Sequence, residues 1–206
     1  MHRARRIGIR KMKKAISGKA YHHGDLSAAL RQVARAILEE EGFAALSLRS
    51  VARRAGVSHA APYRHFPTRE ALLAAVAAEG IAELRAELRR GLAREEDATG
   101  KAVAIGTAYL TFAARHSGLL RLMFGAELPN RKDFPALEDG SEGLAEDIGQ
   151  ALGDATAGLT LWGAIHGLAL LTLDNVIDLG QRQSGVQIIP SRAGILLRSA
   201  LEAMKD

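Results

Sequence analysis

A compact group of polar side chains occupies residues 56–66, which read GVSHAAPYRHF. Ser58 and His59 can each donate and accept hydrogen bonds, so they can bind either a phosphate oxygen or the edge of a base. Ala60 and Ala61 are small enough to let the backbone approach a partner closely, and their methyl groups can contact the methyl group of thymine. This combination of side chains is suited to contacting DNA.

The residues on either side of this group can bind phosphate. Tyr63, His65 and Arg69 suit contacts to the DNA backbone, which fix the register without carrying sequence information. Arg49, shortly upstream, can reach a guanine or a phosphate. The predicted DNA-binding residues are Ser47, Arg49, Ser58, His59, Ala60, Ala61, Tyr63, Arg64, His65 and Arg69.

Two predicted helices precede the group and would position it. Apolar residues from Leu26 to Leu38 follow helical spacing, Asp25 is a suitable N-cap, and Gly42 follows the helix end. A second helix is predicted after Ser47, with an apolar face formed by Leu48, Val51, Ala52 and Ala55.

A glycine turn then leads into a short third helix. Gly56 ends the second helix, Ser58 can cap the next one, and a Pro-Thr pair at 67–68 separates it from a long helix starting near Arg69. The order of helix, tight turn and short helix predicts a helix-turn-helix at about residues 47–66.

Pro62 lies inside the short helix, where a proline in a regular interior position would cost roughly 3 kcal/mol. With Ser58 or His59 as the cap, Pro62 falls at the edge of the first turn, where at most one hydrogen bond is lost. We therefore expect a tight or irregular start and regular turns from about Ala61, although Pro62 biases Ala61 away from the helical region.

Charge is distributed unevenly along the chain, whose formal net charge is +5. Residues 1–70 contain 15 Lys/Arg and 5 Asp/Glu, whereas the remainder contains 13 and 18, which indicates a basic module joined to a mildly acidic body. Residues 1–20 contain eight Lys/Arg and no acid, and we interpret them as a flexible arm that seeks phosphate. An idle tail is the alternative, and Met12 is an alternative start.

The rest of the chain is predicted to be helical as well. Apolar residues make up 48% of the chain, β-branched residues are comparatively few, and segments near 98–116, 118–125, 134–152, 155–179 and 190–205 have helical patterns. The predicted fold class is therefore all-α. The chain has no cysteine, which suits a reducing cytoplasm, and the sequence predicts neither a metal site nor a cofactor.

Residues 157–173 are uncharged when His166 is neutral. We do not predict a membrane span, since the stretch is at the short limit, contains three glycines and lacks basic flanks. A helix that is apolar all round is otherwise buried on every side, which here predicts a homodimer built on a four-helix bundle. The predicted interface residues are Gly163, Gly167, Leu170, Leu197 and Leu201.

The stretch LSLRSVARRAGVSHAAPYRHFPTREALLAAVA resembles the DNA-binding domain of the TetR/AcrR family of bacterial transcriptional regulators, as does the preceding YHHGDLSAALRQVARAILEEEG. This resemblance covers residues 21–80. Farther along, LLRLMFG and LWGAIHGLALL resemble the branch named for a Trp-His-Gly motif, carried here by Trp162, His166 and Gly167. Pro62 departs from the family pattern, in which leucine is common before the tyrosine, and Arg69 stands where lysine is common.

The resemblance implies an all-helical homodimer that binds a palindromic operator on double-stranded DNA and acts as a repressor released by a small-molecule effector. It divides the chain into a basic arm at 1–20, a DNA-binding domain at 21–67, and a ligand-binding and dimerisation domain at 68–206. Ligand binding would shift the long helix that starts near Thr68, so that the two recognition helices no longer match adjacent major grooves.

The effector pocket is predicted to be largely apolar with one or two polar anchors. The large side chains that could line it are Tyr109, Phe112, His116, Met123, Phe124, Trp162 and His166. The alternative for these residues is an ordinary packed core.

Two other functions are compatible with the sequence. One is an architectural protein that coats DNA without a ligand. The other is a helical enzyme using His116 or His166 as a general base, although neither has a carboxylate or nucleophile at a recognisable local spacing. We predict a regulator that is not an enzyme.

Overall fold

The computed structural model describes residues 26–128 and 130–177, and all regular secondary structure within these ranges is helical. Seven α-helices follow one another along the chain. They are α1 (Leu26–Glu41), α2 (Leu48–Ala55), α3 (Arg69–Leu92), α4 (Ala98–Arg115), α5 (Ser117–Phe124), α6 (Pro135–Leu152) and α7 (Ala155–Leu173). The predicted all-α fold is confirmed.

The helix starts follow the polar residues that the sequence offers as caps. The side chain of Ser47 accepts a hydrogen bond from the backbone N–H of Ser50, and the Ser50 hydroxyl is bonded in turn to the Ser47 backbone N–H. Thr68 caps α3 in the same way through the N–H of Ala71. Gly56 closes α2 in the left-handed conformation at φ 71°, which favours glycine.

The segment after Gly56 differs from the predicted short α-helix. It is a turn followed by a single 3₁₀ helix at Pro62–Arg64, and Ser58 caps no α-helix. The tight start expected from Pro62 is confirmed, but the prediction of regular α-helical turns is wrong.

Pro62 explains this geometry. It is the first residue of the 3₁₀ helix, where a backbone N–H is not needed, and its own carbonyl accepts from the N–H groups of His65 and Phe66 at 3.0 and 2.9 Å. Ala61 has helical angles, φ −61° and ψ −44°, so the expected displacement of this residue from the helical region is wrong. The buried proline ring accounts for the tolerance, since packing outweighs a local bias.

Helix α3 lies at the centre of the molecule. It contacts α1, α4, α5 and α6, and its residues Leu72, Leu73, Ile81, Leu84 and Leu88 are all fully buried. Because α3 begins beside the 3₁₀ turn and ends in the C-terminal half, one rigid element joins the two ends of the described structure.

Helices α6 and α7 pack closely against each other. A Cβ atom on Gly158 would lie 2.6 Å from the Cα of Gly149, so the two backbones touch at this point. In contrast, a Cβ on Gly163 or Gly167 would meet none of the described residues within 4 Å. One side of α7 therefore packs on α6, and the described residues leave space at Gly163 and Gly167.

Helix α7 is long and apolar enough to cross a membrane by length and composition, and only 28% of its most apolar window is buried. The described residues of one subunit therefore leave much of α7 uncovered, and its predicted burial in a homodimer stays a prediction. Several predictions fall outside the described ranges: the arm at 1–20, the Asp25 cap, the helix at 190–205, and the interface residues Leu197 and Leu201.

Candidate nucleic-acid interface

The turn that follows α2 is held on a small apolar base. Leu48, Val51 and Ala52 of α2 are buried, as is Phe66 at the end of the turn. The backbone N–H of Val57 donates to the carbonyl of Ala52 at 3.1 Å, which holds the chain tightly after Gly56. This anchoring fixes the orientation of the polar residues that follow.

The outer side of the turn presents the predicted contact residues to solvent. Ser58, His59 and Ala60 are exposed, as are Arg64 and Tyr63, whose side chain is 50% accessible. Half of the tyrosine is therefore not used in packing and is available to contact a binding partner. Ala61 and His65 are half-buried, so they lie at the edge of this surface.

Three arginines of α2 differ in their availability. Arg49 and Arg53 are exposed, and neither has an ion-pair partner among the described residues. Arg54 is instead paired with Glu40 at 2.5 Å and with Glu41 at 2.9 Å, which joins the end of α2 to the end of α1. Arg53 was not among the residues predicted from the sequence, and only its exposed, unpaired position distinguishes it from Arg54.

Arg69 and Ser47 already have internal roles. The Arg69 guanidinium donates to the backbone carbonyls of Leu46 at 2.8 Å and Phe43 at 3.2 Å, and its Cζ lies 4.3 Å from the centre of the Phe43 ring. The Ser47 hydroxyl belongs to the cap of α2. Their predicted contacts to DNA stay predictions, and the structure adds that both residues position the start of α2 and α3.

The predicted pocket residues form a continuous aromatic group between α4, α5 and α7. The Tyr109 hydroxyl lies 2.8 Å from His166 Nδ1, and the Phe124 ring lies 5.6 Å from Trp162 and 5.4 Å from His166. Trp162 Nε1 is buried and makes no hydrogen bond of good geometry with the described residues, although its indole, as a weaker hydrogen-bonding neighbour, partly offsets the burial that raises the pKa of the Tyr109 hydroxyl. The structure therefore brings four of the seven residues into one cluster.

The other three pocket residues line the same region less directly. Phe112 and Met123 are fully buried, and the half-buried His116 contacts the Phe112 ring at 5.0 Å between centroids. Burial raises the pKa of the Tyr109 hydroxyl and lowers the pKa of His166. Both groups are thus favoured in their neutral forms, as expected inside an apolar cluster.

Two surface cavities lie away from this cluster. One, of about 690 Å³, lies at the junction of α6 and α7 and includes Gly149, Asp154 and Leu159, and the other, of about 620 Å³, lies around Arg131 and Glu138. Neither is lined by a predicted pocket residue. In the described structure the aromatic cluster is packed, so the predicted effector pocket stays a prediction.

The predicted interface residues of α7 lie on its less buried part. Gly163 is exposed, and Gly167 and Leu170 are half-buried. Leu159 and Leu171 on the same helix are exposed by 62% and 44%, which is unusual for leucines.

Two protein families match the sequence. The family described as bacterial regulatory proteins, tetR family, matches residues 30–76, and the one described as tetracyclin repressor-like, C-terminal domain, matches residues 102–184. Together they cover most of the chain, and the first spans α2, the turn and the start of α3.

Among curated proteins, the nucleoid occlusion factor SlmA of Aliivibrio fischeri strain MJ11 is 33% identical over 104 residues, which are 48% of this chain and 50% of that protein. The SlmA of Vibrio vulnificus strain YJ016 is 32% identical over the same shares. The match spans about half the length of these curated relatives.

Solved structures resemble the fold over most of its length. A protein with unknown function from Rhodococcus sp. RHA1 is 31% identical, with a TM-score of 0.65, over 89% of this chain and 98% of that chain. The regulator FadR from Bacillus subtilis, solved in complex with stearoyl-CoA, is 15% identical with a TM-score of 0.62, over 84% and 97%. At this identity the second likeness shows a shared fold.

Proposed function

Because this chain belongs to the tetR family of bacterial regulatory proteins and is a DNA-binding transcriptional regulator, we propose that it acts as a repressor. In this proposal it binds a palindromic operator on double-stranded DNA as a homodimer, and a small-molecule effector releases it. It works in the cytoplasm by binding and release, without catalysis.

The observation that carries the proposal is the exposed surface of the turn after α2. His59, Tyr63 and Arg64 project from a segment whose other side is anchored by Pro62 and Phe66. A turn that is anchored by apolar residues on one side and exposes hydrogen-bond donors on the other can place those donors in the major groove of DNA. The unpaired Arg49 and Arg53 extend this surface with positive charge.

Footprinting on a promoter fragment tests the proposal. We expect protection of one palindrome, whose half-site centres are separated by about 34–36 Å or a multiple of that distance. We also expect affinity to fall steeply with salt, because the arginines contribute by neutralising phosphates. A protein that protects no DNA at low salt would refute the proposal.

The aromatic cluster is the proposed site of the effector. Trp162 Nε1 is a buried donor that makes no hydrogen bond of good geometry with the described residues, and it lies in a group that also contains Phe124 and His166. An apolar effector carrying one hydrogen-bond acceptor would satisfy the indole N–H while separating the rings. As part of this proposal we place the chain in the Trp-His-Gly branch of the family, with the motif formed by Trp162, His166 and Gly167.

The proposed division of labour follows the sequence boundaries: a phosphate-seeking arm at 1–20, DNA binding at 21–67, and effector binding with dimerisation at 68–206. Effector binding would favour a state in which α3 has moved and the two reading surfaces no longer match their half-sites. This requires the effector to bind that state more tightly, since equal affinity for both states would release nothing.

A second candidate is a ligand-independent architectural protein that coats DNA. The curated relatives that are named nucleoid occlusion factor support this candidate, although the match covers only half of their length. Uniform coverage in the footprinting experiment would support this candidate, and one protected palindrome would support the regulator.

A further inference from the structure

A regular series of ion pairs joins α1 to α3. Arg31 pairs with Glu79, and Arg35 Nη1 pairs with Glu83 Oε2 at 2.5 Å. The second pair lies one helical turn beyond the first, and the two residues of each pair are 48 positions apart in the sequence. The two helices therefore run in the same direction along this line of contact, which we call the seam.

The next pair in this series would join two carboxylates. Four residues beyond Arg35 and Glu83 lie Glu39 on α1 and Glu87 on α3. Nitrogen groups at the end of α4 approach both of them: Arg115 Nη2 lies 2.7 Å from Glu87 Oε2, and His116 Nδ1 lies 3.8 Å from Glu39 Oε1. The corner between α4 and α5 thus places a nitrogen group beside each of these carboxylates.

The backbone of this corner also lies directly against α1. A Cβ on Gly118 would be only 3.1 Å from the carbonyl oxygen of Leu38. The N–H of Leu119, in the first turn of α5, donates to Glu39 Oε1 at 3.4 Å. A carboxylate is favoured at this end of a helix, so Glu39 is held by the corner through both backbone and side chain.

His116 lies at the centre of these contacts. Its Nδ1 is 3.4 Å from Arg35 Nη2, and its Nε2 is 3.9 Å from Glu83 Oε1. The charged groups around it are therefore Arg35 and Glu39 from α1, Glu83 and Glu87 from α3, and Arg115 from α4. The hydrogen bond from Arg35 holds the pKa of the Glu83 carboxyl below its ordinary value, so this carboxylate is charged at neutral pH.

The imidazole joins the two helices within this cluster. Its Nδ1 can accept a hydrogen bond from Arg35 Nη2 on α1, and its Nε2 lies 3.9 Å from Glu83 Oε1 on α3. The ring therefore lies between α1 and α3, where the series would otherwise bring Glu39 and Glu87 together.

We propose that His116 is a positioning residue for operator binding, which latches the α4–α5 corner to α1 and α3 without touching DNA. The proposal rests on the function proposed above. The contact of His116 with Phe112 places the latch beside the aromatic cluster, and α3 begins at the reading turn. Loosening the latch lets α1 and α3 move against the rest of the chain, which lowers the fraction of protein that fits the operator.

The test measures the operator affinity of the full-length protein at one pH and at several salt concentrations. The probe is a duplex selected from a random library by the unmodified protein. The variants are His116→Ala, His116→Gln and His116→Lys. Because the latch does not touch DNA, all four proteins should show the same slope of affinity against salt.

We expect His116→Ala to weaken operator binding about fivefold, because Arg35 loses its acceptor at the corner. His116→Gln should match the unmodified protein, because its amide oxygen can accept from Arg35. His116→Lys should weaken binding as His116→Ala does, because an ammonium group offers no acceptor. Arg121→Ala is the matched control, because it removes the exposed pair with Asp174, which is not part of the seam.

Equal weakening by His116→Ala and His116→Gln would overturn the proposal, as would unchanged affinity of His116→Ala or an equal loss for Arg121→Ala. Circular dichroism identifies any variant that fails to fold, and the folded His116→Gln and His116→Lys proteins then decide the question. If the unmodified protein selects no duplex, the proposed function itself fails, which is a separate result.

Discussion

Arg69 shows how one residue can serve both the fold and the interface. Its guanidinium is bound to the carbonyls of Leu46 and Phe43 and lies over the Phe43 ring, so it clamps the segment that leads into α2. A lysine could not reproduce this arrangement, since it lacks the planar fork that bonds two carbonyls at once. The arginine at this position therefore has a structural explanation, whatever it contributes to phosphate binding.

His59 is the residue for which base reading is best supported, because it is exposed at the first turn after Ser58 and has no partner among the described residues. We expect His59→Ala to relax the preference at one or two base positions by about 1–3 kcal/mol. Tyr63→Ala should instead weaken binding to all sequences. The measurement compares the affinities of both variants for a set of single-base operator changes, and equal weakening on every duplex would show that His59 reads no base.

His166 gives a prediction for the pH dependence of stability. Burial lowers its pKa in the folded protein below the ordinary value of 6.5, so the unfolded chain binds the proton more readily. The stabilising contribution is complete above about pH 6.5 and is lost as the pH falls through that value towards the lower folded pKa. We expect His166→Gln to reduce the decrease in unfolding free energy between pH 7.5 and pH 5.

Urea denaturation at several pH values measures this difference, with His65→Gln as a control on a half-buried histidine outside the cluster. If His166→Gln and the unmodified protein lose the same free energy on acidification, the imidazole does not titrate in the folded cluster as proposed.

At the scale of elements, the helix-turn-helix could be predicted because its signals are local. Ser47, Gly56 and Thr68 define the starts and ends of α2 and α3 through contacts within a few residues, and all three were identified from sequence. The 3₁₀ turn was not predicted, because the burial of Pro62 depends on neighbours that local propensity does not describe.

Contacts between distant elements could not be predicted from sequence spacing. The bond from Arg69 to Phe43 joins residues 26 apart, and the bond from Leu119 to Glu39 joins residues 80 apart. His116 was selected as a large polar side chain near a pocket, and only the structure shows its carboxylate neighbours. For the same reason, the sequence of α2 does not predict that Arg54 forms ion pairs while Arg53 forms none within the described residues, because the partners of Arg54 lie on α1.

Replacing glycine by alanine should have opposite effects on stability on the two sides of α7. A Cβ on Gly158 would lie 2.6 Å from the Cα of Gly149 and 2.7 Å from its nitrogen, and a backbone cannot rotate away as a side chain can. Gly158→Ala should therefore destabilise the fold by about 1–3 kcal/mol, as overpacking does. Gly163→Ala, with open space around it, should be neutral or stabilise the monomer by up to about 1 kcal/mol through helix propensity.

Urea unfolding of both variants, at a concentration where the oligomeric state is known, measures this contrast. Equal stability of the two variants would contradict the close approach of α6 and α7. Gly163→Ala is the matched control for Gly158→Ala, because the same change is made on the same helix.

At the scale of the whole molecule, the apolar surface of α7 that the described residues leave exposed indicates a binding partner. Its apolar window is only 28% buried, and Leu159 and Leu171 are exposed by 62% and 44%. Exposed apolar surface of this kind marks an interaction site on a soluble protein. In the proposed homodimer a second copy of the chain would cover this surface, and a two-fold symmetric dimer would present two equivalent reading turns to the proposed palindromic operator.

The homodimer can be tested by placing a charge on the open side of α7. Gly163→Arg adds a long charged side chain where the described monomer has free space, so the isolated subunit should fold as before. Sedimentation at micromolar concentration should then change from twice the subunit mass to 22.0 kDa. Operator affinity should fall by at least about 100-fold, because the two half-sites no longer bind through one linked molecule, whereas affinity for a single half-site should be unchanged.

These two affinities separate the interface from the reading turn. Loss of binding to the single half-site as well would mean that Gly163→Arg damages the fold, which circular dichroism would reveal. An unmodified protein that sediments at 22.0 kDa throughout would exclude the dimer on α7. Binding to one palindrome would then require a pair of subunits that meet only on DNA, so that the ratio of bound to free operator depends on the square of the protein concentration.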